Sequence, residues 1–417
     1  MASAITEGEA ADFIGRTSFT TGPSRRVGLE LEWLVDPRDD ATTAWDLPHG
    51  SKVTREAGGQ VELSSLPADD LASCIAAVET DQAALTAALA ERGQTVVGVG
   101  FDGNRDPVRL VDDQRYRAME AYYDRTGPWG RMVMCGTASI QINLDSGDED
   151  VGPTGLRRRW DLVHRLGPVL VAAFANSPIL DGRASGWKST RLALWSKLVP
   201  DWGRPISDEG DLRSAFARYV LDSEVMCRRC DPPGSWTAPP GLTLRSWIRD
   251  GLDGTGPTLE DVEYHKTTLF PPVRPRGWLE LRMIDQQEGD GWMVPAVLAV
   301  TLADDPTAAD AAYAATAALC GDRTQPFASV WERAARIGVA DPVLNAVVRE
   351  CFAIAAKALR RTEAPPRLQA VLAAFRERYV DAGRCPADDR LDRLRTGASA
   401  PQTEAAPSLS QEAPGRL

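Results

Sequence analysis

Three histidines are all that this chain of 417 residues contains, and its seven cysteines (Cys74, Cys135, Cys227, Cys230, Cys320, Cys351 and Cys385) are odd in number and widely scattered. Such usage does not make a disulfide framework, and a reducing cytoplasm is the expected compartment. The one Cys-x-x-Cys, Cys227 and Cys230 in "MCRRC", has no second pair, and His49, His164 and His265 stand far from it. Ordinary free thiols are expected there rather than a zinc site. A basic n-region followed by an apolar h-region is missing from "MASAITEGEAADF", so no secretory leader is read. The longest apolar runs, "PVLVAAFA" and "WMVPAVLAV", fall well short of a membrane span. Cations are in deficit, 47 Lys and Arg against 59 Asp and Glu for a net charge of −12. That balance argues against a nucleic acid or an anionic membrane as partner.

Common catalytic signatures are absent too. There is no GxxxxGK[ST] loop, "GVGFDG" at 98–103 lacks the spacing of a dinucleotide site, and no G-x-S-x-G supplies a nucleophile elbow. No internal repeat occurs at solenoid periods.

What is present is a mixture of strands and helices that do not alternate strictly, which points to an α+β fold. An antiparallel sheet with helices packed on one face is expected. Residues 1–22 read as a flexible lead-in, 23–395 as one domain, and 396–417, rich in Ala, Pro, Ser and Gln, as a disordered tail. Helices are expected over about 69–92, 112–125, 156–175, 210–222 and 305–320, with several more between 328 and 382. Strands are expected over 26–35, 51–55, 60–65, 95–100, 132–144 and 277–285.

The strands carry the chemistry. In "VGLELEWLV" the apolar Val27, Leu29, Leu31, Trp33 and Val35 alternate with a face bearing Glu30 and Glu32. In "GGQVELSS", Gln60, Glu62 and Ser64 share one face; in "TASIQINLD", Thr137, Ser139, Gln141 and Asn143 do; in "WLELRMID", Trp278, Glu280 and Arg282 do. A single such strand can be a solvated edge. Four of them, with four glutamates, one arginine and no lysine, place hard oxygen donors together if they pair in one sheet. Such donors suit Mg2+ or Mn2+ and, with them, a nucleotide.

The ordered series "VGLELEW", "EAGGQVELSSLP", "RYRAMEAYY", "TASIQINLD", "NSPILDGRASGWKSTRLALW" and "YHKTTLFPPVRPRGWLELRMID" resembles the glutamate–cysteine ligases, in the branch that includes plant and many bacterial enzymes. It covers about residues 23–385 and looks most like the actinobacterial group serving ergothioneine biosynthesis. The resemblance implies a catalytic domain similar to glutamine synthetase, with a curved antiparallel sheet whose concave face holds Mg2+, ATP and glutamate. It implies metal ligation by Glu30, Glu32, Glu62 and Glu280, with Gln141 where some relatives place a histidine. It also implies that Arg282 reaches a phosphate or carboxylate oxygen of the reacting glutamate. Ser189, Arg191 and Trp195 match the amino-acid-binding element, Arg191 being suited to fork onto a carboxylate, and Tyr123 with Trp195 could wall the cysteine pocket. Arg274 and Arg276 could grip nucleotide phosphate or face solvent, and His265 could orient a ligand or be structural.

The implied reaction phosphorylates the γ-carboxylate of glutamate with ATP, after which the amine of cysteine displaces phosphate. A ligase of the same fold with another acceptor amine, a guanidino-type kinase and a non-catalytic metal-binding module are the alternatives. A monomer and a homodimer are both compatible with the sequence.

Overall fold

The computed structural model describes residues 5–22, 25–40, 45–199, 202–203, 206, 210–230 and 234–397. Its main sheet contains β1 (Val27–Asp36), β2 (Lys52–Arg55), β3 (Val61–Ser64), β4 (Thr95–Val97), β5 (Ser139–Asp145), β6 (Val273–Pro275) and β7 (Trp278–Asp285). The order is β2-β3-β1-β5-β7-β6, with β4 paired to the end of β1, and every pairing is antiparallel. The expected α+β architecture with an antiparallel sheet is what the chain forms.

Helices surround the sheet: α1 (Glu7–Ser18), α2 (Leu71–Glu91), α3 (Gln114–Tyr123), α4 (Trp129–Gly136), α5 (Leu156–Phe174), α6 (Thr190–Leu198), α7 (Leu212–Asp222) and α8 (Leu244–Asp250). They continue as α9 (Leu259–Lys266), α10 (Met293–Asp304), α11 (Pro306–Ala315), α12 (Ala328–Ile337), α13 (Pro342–Arg361), α14 (Pro366–Phe375) and α15 (Pro386–Thr396). Leu29, Leu31, Ile140, Ile142, Leu144, Leu279, Leu281 and Ile284 are fully buried on one sheet face, in one core with the apolar sides of α2, α5 and α10. Burying each such side chain stabilises the fold by roughly 1.5–3 kcal/mol, so the alternation of each strand is locked: a one-residue slip would put these groups in water. The two long apolar runs of the sequence are α5 and α10, core helices. Among the described residues no helix is long and apolar enough to cross a membrane.

Three expectations need correction. Residues 7–18 are a helix rather than a loose lead-in. Thr6 and Glu9 form a reciprocal capping box, and Ala10 and Ile14 are buried where α1 packs on α7. Residues 132–136 belong to α4, not to a strand. The run Met132-Val133-Met134 lacks alternation, so it serves a buried helical turn equally well, and extended structure starts only at Ser139. The strand expected over 95–100 ends at Val97. Of the proposed tail, Thr396 closes α15, Gly397 follows as its left-handed cap, and 398–417 lie outside the described residues.

Because Ile14 is fully buried in a docked helix, Ile14→Ala should lower the unfolding free energy by about 2–4 kcal/mol. Urea denaturation measures this; an unchanged midpoint would mean that α1 contributes nothing to the fold.

Candidate active site

The opposite sheet face is polar, and the register assembles it from five strands. Glu30 pairs with Gln141 on one side and Ser64 on the other, Glu32 with Glu62, Asn143 with Glu280, and Glu280 with Arg274. A bulge in the β5–β7 ladder between Ile140 and Ile142 sets two β7 residues, Arg282 and Met283, against Gln141.

The β1–β3 half of this face is carboxylate-rich, and its groups are oriented by neutral donors. Asn143 Nδ2 donates to Glu30 Oε1 at 3.0 Å. Glu32 accepts from the Ser139 amide (2.8 Å), Ser139 Oγ (2.9 Å) and Gln141 Nε2 (2.7 Å). Glu62 accepts from Ser64 Oγ (2.9 Å) and Thr54 Oγ1 (3.3 Å). A fourth carboxylate, Glu56, joins them from the β2–β3 turn and accepts from Tyr116 Oη of α3 at 2.9 Å. That turn lies hard against α4: a Cβ on Gly58 would sit 2.2 Å from the Cys135 carbonyl oxygen, which only glycine avoids. Gln60 ties the same turn to the Met134 and Thr137 carbonyls at 3.2 and 3.0 Å.

Burial, and then Glu56, Glu30 and Glu32 around it, hold the Glu62 carboxyl well above its ordinary range. Glu56 is raised by burial and then by Glu32, and Glu30 by burial and then by Glu280, in both cases against partial relief from Arg282 and neighbouring groups. These are the signatures of like charges short of counter-charge. The donor set is hard oxygen throughout, which fits divalent Mg2+ or Mn2+. As the side chains stand, no group of three or more His, Cys, Asp or Glu residues among the described residues is gathered tightly enough to hold a metal ion.

The β6–β7 half is different. Glu280, fully buried, is gripped by Arg274 through Nε on Oε2 and through Nη2 on Oε1 (3.0 Å). Arg282 Nη1 lies 3.1 Å from Oε2 and Arg276 Nη1 3.5 Å from Oε1. Burial alone would raise the Glu280 carboxyl; Arg274 and Arg282 overcome it and hold it at about 2. Both oxygens of Glu280, expected as a fourth metal-ligating glutamate, are engaged by guanidinium groups as the side chains stand. Gln141 is also otherwise engaged, its Oε1 accepting from Arg282 Nη1 while its Nε2 faces Glu32.

The remaining expected residues divide. Arg191 is buried, donates Nη2 to the Arg282 carbonyl at 2.8 Å and faces Asp285 at 3.7 Å, while its Nε and Nη1 have no hydrogen-bond partner. Ser189 caps α6 and donates to Asp285 Oδ1 at 2.9 Å, so it orients the segment instead of lining the polar face. Trp195 packs at a tilt of 42° against Phe270 with ring centroids 5.3 Å apart, and Phe270 lies under the Arg282 guanidinium at 5.6 Å. Tyr123 is buried in a small cluster with Ala57, Met134 and Cys227 behind the Glu56 turn. Arg276 rests over Trp278 at 5.4 Å and remains half exposed, whereas Arg274 is committed to Glu280 and to the Thr267 carbonyl. His265 is structural: its Nε2 lies 3.1 Å from the Val220 carbonyl between α9 and α7, and burial lowers its pKa to about 4. Sequence reasoning passed over Glu56, Tyr116 and Arg115, whose guanidinium bonds Thr267 Oγ1 and O at 2.9 Å each. All three lie within motifs that were picked out, "EAGGQVELSSLP" and "RYRAMEAYY", but off the strand alternation.

Residues 26–412 match the family model described as Glutamate-cysteine ligase family 2. The chain belongs to this family. It is 40% identical over 412 residues to glutamate–cysteine ligase EgtA of Mycobacterium tuberculosis, covering 94% of this chain and 91% of that protein. With the EgtA of Mycolicibacterium smegmatis it shares 37% identity, covering 93% and 91%. The chloroplastic glutamate–cysteine ligase of Medicago truncatula is 30% identical over 56% of this chain and 46% of that protein.

Two outcomes follow from the electrostatics. A carboxyl whose folded pKa lies above its unfolded value binds more protons folded than unfolded, so stability falls as pH climbs from 4.5 through the folded pKa. Glu62→Gln should accordingly flatten that decline in metal-free protein and raise its melting temperature at neutral pH by about 2 °C or more. A thermal scan across pH checks this, and a lower melting temperature would mean that the charge of Glu62 is already compensated. Glu280→Gln should act in the opposite sense, lowering the unfolding free energy by about 3 kcal/mol because three guanidinium groups lose their buried counter-charge. A change under about 1 kcal/mol in denaturant titration would show that the cage does not depend on Glu280.

Proposed function

We propose that the protein ligates the γ-carboxylate of L-glutamate to the amine of L-cysteine at the expense of ATP, giving γ-glutamylcysteine and ADP. The observation that carries this is the divided polar face: carboxylates short of counter-charge at one end, arginines at the other, in a chain of this family. Glu30, Glu32, Glu56 and Glu62 would hold the divalent cations, Mg2+ or Mn2+. Held there, such cations would supply positive charge to offset that of the transferring phosphoryl group.

The chain's own residues do the rest. Arg282 presents a guanidinium that is fixed by Gln141 and Glu280 and backed by Phe270, next to the carboxylate cluster. A preorganised cation in that place stabilises negative charge developing on a phosphoryl or carboxylate oxygen without reorganising first. Arg274 keeps Glu280 ionised, so that Glu280 pins Arg282 rather than repelling the substrate's phosphates. Arg276, half exposed beside Trp278, is the arginine of this group best placed to meet nucleotide phosphate. Hydroxide is a poor leaving group, so the γ-carboxylate first takes the γ-phosphoryl group of ATP, releasing ADP. The cysteine amine then attacks the acyl carbon, the C–O bond to phosphate breaks, and phosphate departs. No enzyme nucleophile is required; positioning and charge neutralisation suffice. Phe270, Trp195 and Tyr123 supply the apolar backing of the site. A reducing cytoplasm is the proposed setting, since all seven cysteines are free and six are buried. Ergothioneine biosynthesis is the proposed destination of the product.

Incubation of the purified protein with ATP, Mg2+, glutamate and cysteine, each omitted in turn, followed by mass spectrometry, tests the reading. γ-Glutamylcysteine with stoichiometric ADP, dependent on all four, is expected, and Glu30→Gln should reduce turnover about a hundredfold or more. ADP formation that ignores cysteine would redirect the assignment to another acceptor amine, and absence of turnover in every combination would overturn it.

A further inference from the structure

Asp285 ends β7 three residues beyond Arg282, and its buried carboxylate has no part in the chemistry above. Oδ1 accepts from Ser189 and faces Arg191, which holds the Arg282 carbonyl. Oδ2 accepts from the Asn176 amide at 2.9 Å and from Ser177 Oγ at 2.7 Å. Asn176 is saturated in turn: its Nδ2 donates to the carbonyls of Gln286 (2.7 Å) and Gly98 (3.0 Å), and its Oδ1 accepts from Arg390 Nε at 2.6 Å. Gln286 Nε2 donates to the Glu32 carbonyl on β1.

Arg390 comes from α15, the last described helix, and its side chain is 11% exposed. Its Nη2 also reaches the Gly98 carbonyl and Glu288 Oε1, both at 2.7 Å. Two glycines of "GVGFDG" meet the end of β7 here, while the third, Gly103, lies against Ile179 and Leu180. A Cβ on Gly98 would lie 2.2 Å from the Gln287 carbonyl oxygen, and one on Gly100 would lie 2.4 Å from Asp285 Cγ. The motif exists to bring a bare backbone against the end of β7, not to cradle phosphate.

We infer that Arg390 is a positioning residue for the reaction: through Asn176 and Asp285 it fixes Arg191 and the end of β7, and thereby the place of Arg282. A guanidinium fork holds one amide rotamer, because its donors are rigidly spaced and the amide oxygen must face them. Without that fork Asn176 Oδ1 is left unpaired in a buried place, and a flipped amide would lose the Gln286 and Gly98 carbonyls together. Loosening then reaches β7 through Asp285 and β1 through Gln286. The catalytic consequence rests on the ligase reading; the mechanical one rests on the geometry alone.

The test uses the full chain with Arg390→Gln, the milder Arg390→Lys, Asp285→Asn and the double variant Arg390→Gln/Asp285→Asn. Arg390→Gln should cut kcat about tenfold or more with KM values for ATP and glutamate nearly unchanged, since misplacement of a transition-state group falls on kcat. Arg390→Lys should recover part of the loss, and the double variant should lose less than the product of the single effects, as residues on one path do. Hydrogen exchange at amides 282–286 should quicken in Arg390→Gln. A lowered melting temperature with kcat and exchange intact would reduce Arg390 to a stabilising contact and overturn the proposal, as would fully multiplicative losses. If the wild-type protein makes no γ-glutamylcysteine, the ligase reading fails by itself, and the exchange rates alone then decide whether the clamp exists.

Discussion

The constraint on which this protein is organised is the placing of like charges on one face of a sheet whose other face is sealed. Once Leu29, Leu31, Ile140, Ile142, Leu279 and Leu281 are committed to the core, strand periodicity leaves Glu30, Glu32, Glu62 and Glu280 no choice of side. Their mutual repulsion in a partly dehydrated setting favours a counter-charge or a proton among them. The chain answers it unequally. At Glu280 three arginines bring full compensation; at Glu30, Glu56 and Glu62 the protein supplies hydroxyls and amides, which orient a carboxylate without neutralising it. That inequality gives the face a polarity along the sheet, and a highly charged substrate can be held across it.

Orientation comes from backbone regularity more than from packing. Each carboxylate stands on a strand or a turn next to a strand, and each has a neutral donor on a neighbouring strand or helix: Asn143 for Glu30, Ser139 and Gln141 for Glu32, Thr54 for Glu62, Tyr116 for Glu56. Donors of this kind fix direction, engaging one oxygen each of Glu30, Glu56 and Glu62 and both oxygens of Glu32.

The sheet face was legible in the sequence because period two is a strong signal and because register follows from it: Glu32 opposite Glu62 and Asn143 opposite Glu280 complete a pattern already visible strand by strand. Glu56 was not legible, since it stands in a turn where no periodicity applies, and only the fold carries Tyr116 to it. The arginine cage was hidden for a similar reason. Arg274 meets Glu280 across an antiparallel pair joined by Arg276 and Gly277, and nothing in the sequence says whether an arginine next to a turn points in or out. By contrast α1 could have been read: Thr6 and Glu9 have capping-box spacing ahead of buried positions at helical intervals. The run Glu7–Asp12, without a large apolar residue, concealed it. His265 stands in the motif ahead of β7, and the fold packs it between α9 and α7.

Gln141 shows how the two halves are kept apart. A guanidinium can only donate and an ionised carboxylate can only accept, so an amide between Arg282 and Glu32 has a single satisfactory orientation, oxygen to the arginine and nitrogen to the glutamate. To ligate a cation beside Glu32 the amide would have to turn its NH2 toward Arg282, setting donor against donor. Gln141 is therefore a spacer that transmits the position of Arg282 to Glu32 and keeps arginine charge from closing over the carboxylates. If Arg282 instead reached Glu32 directly, that carboxylate would be neutralised from within, as Glu280 already is.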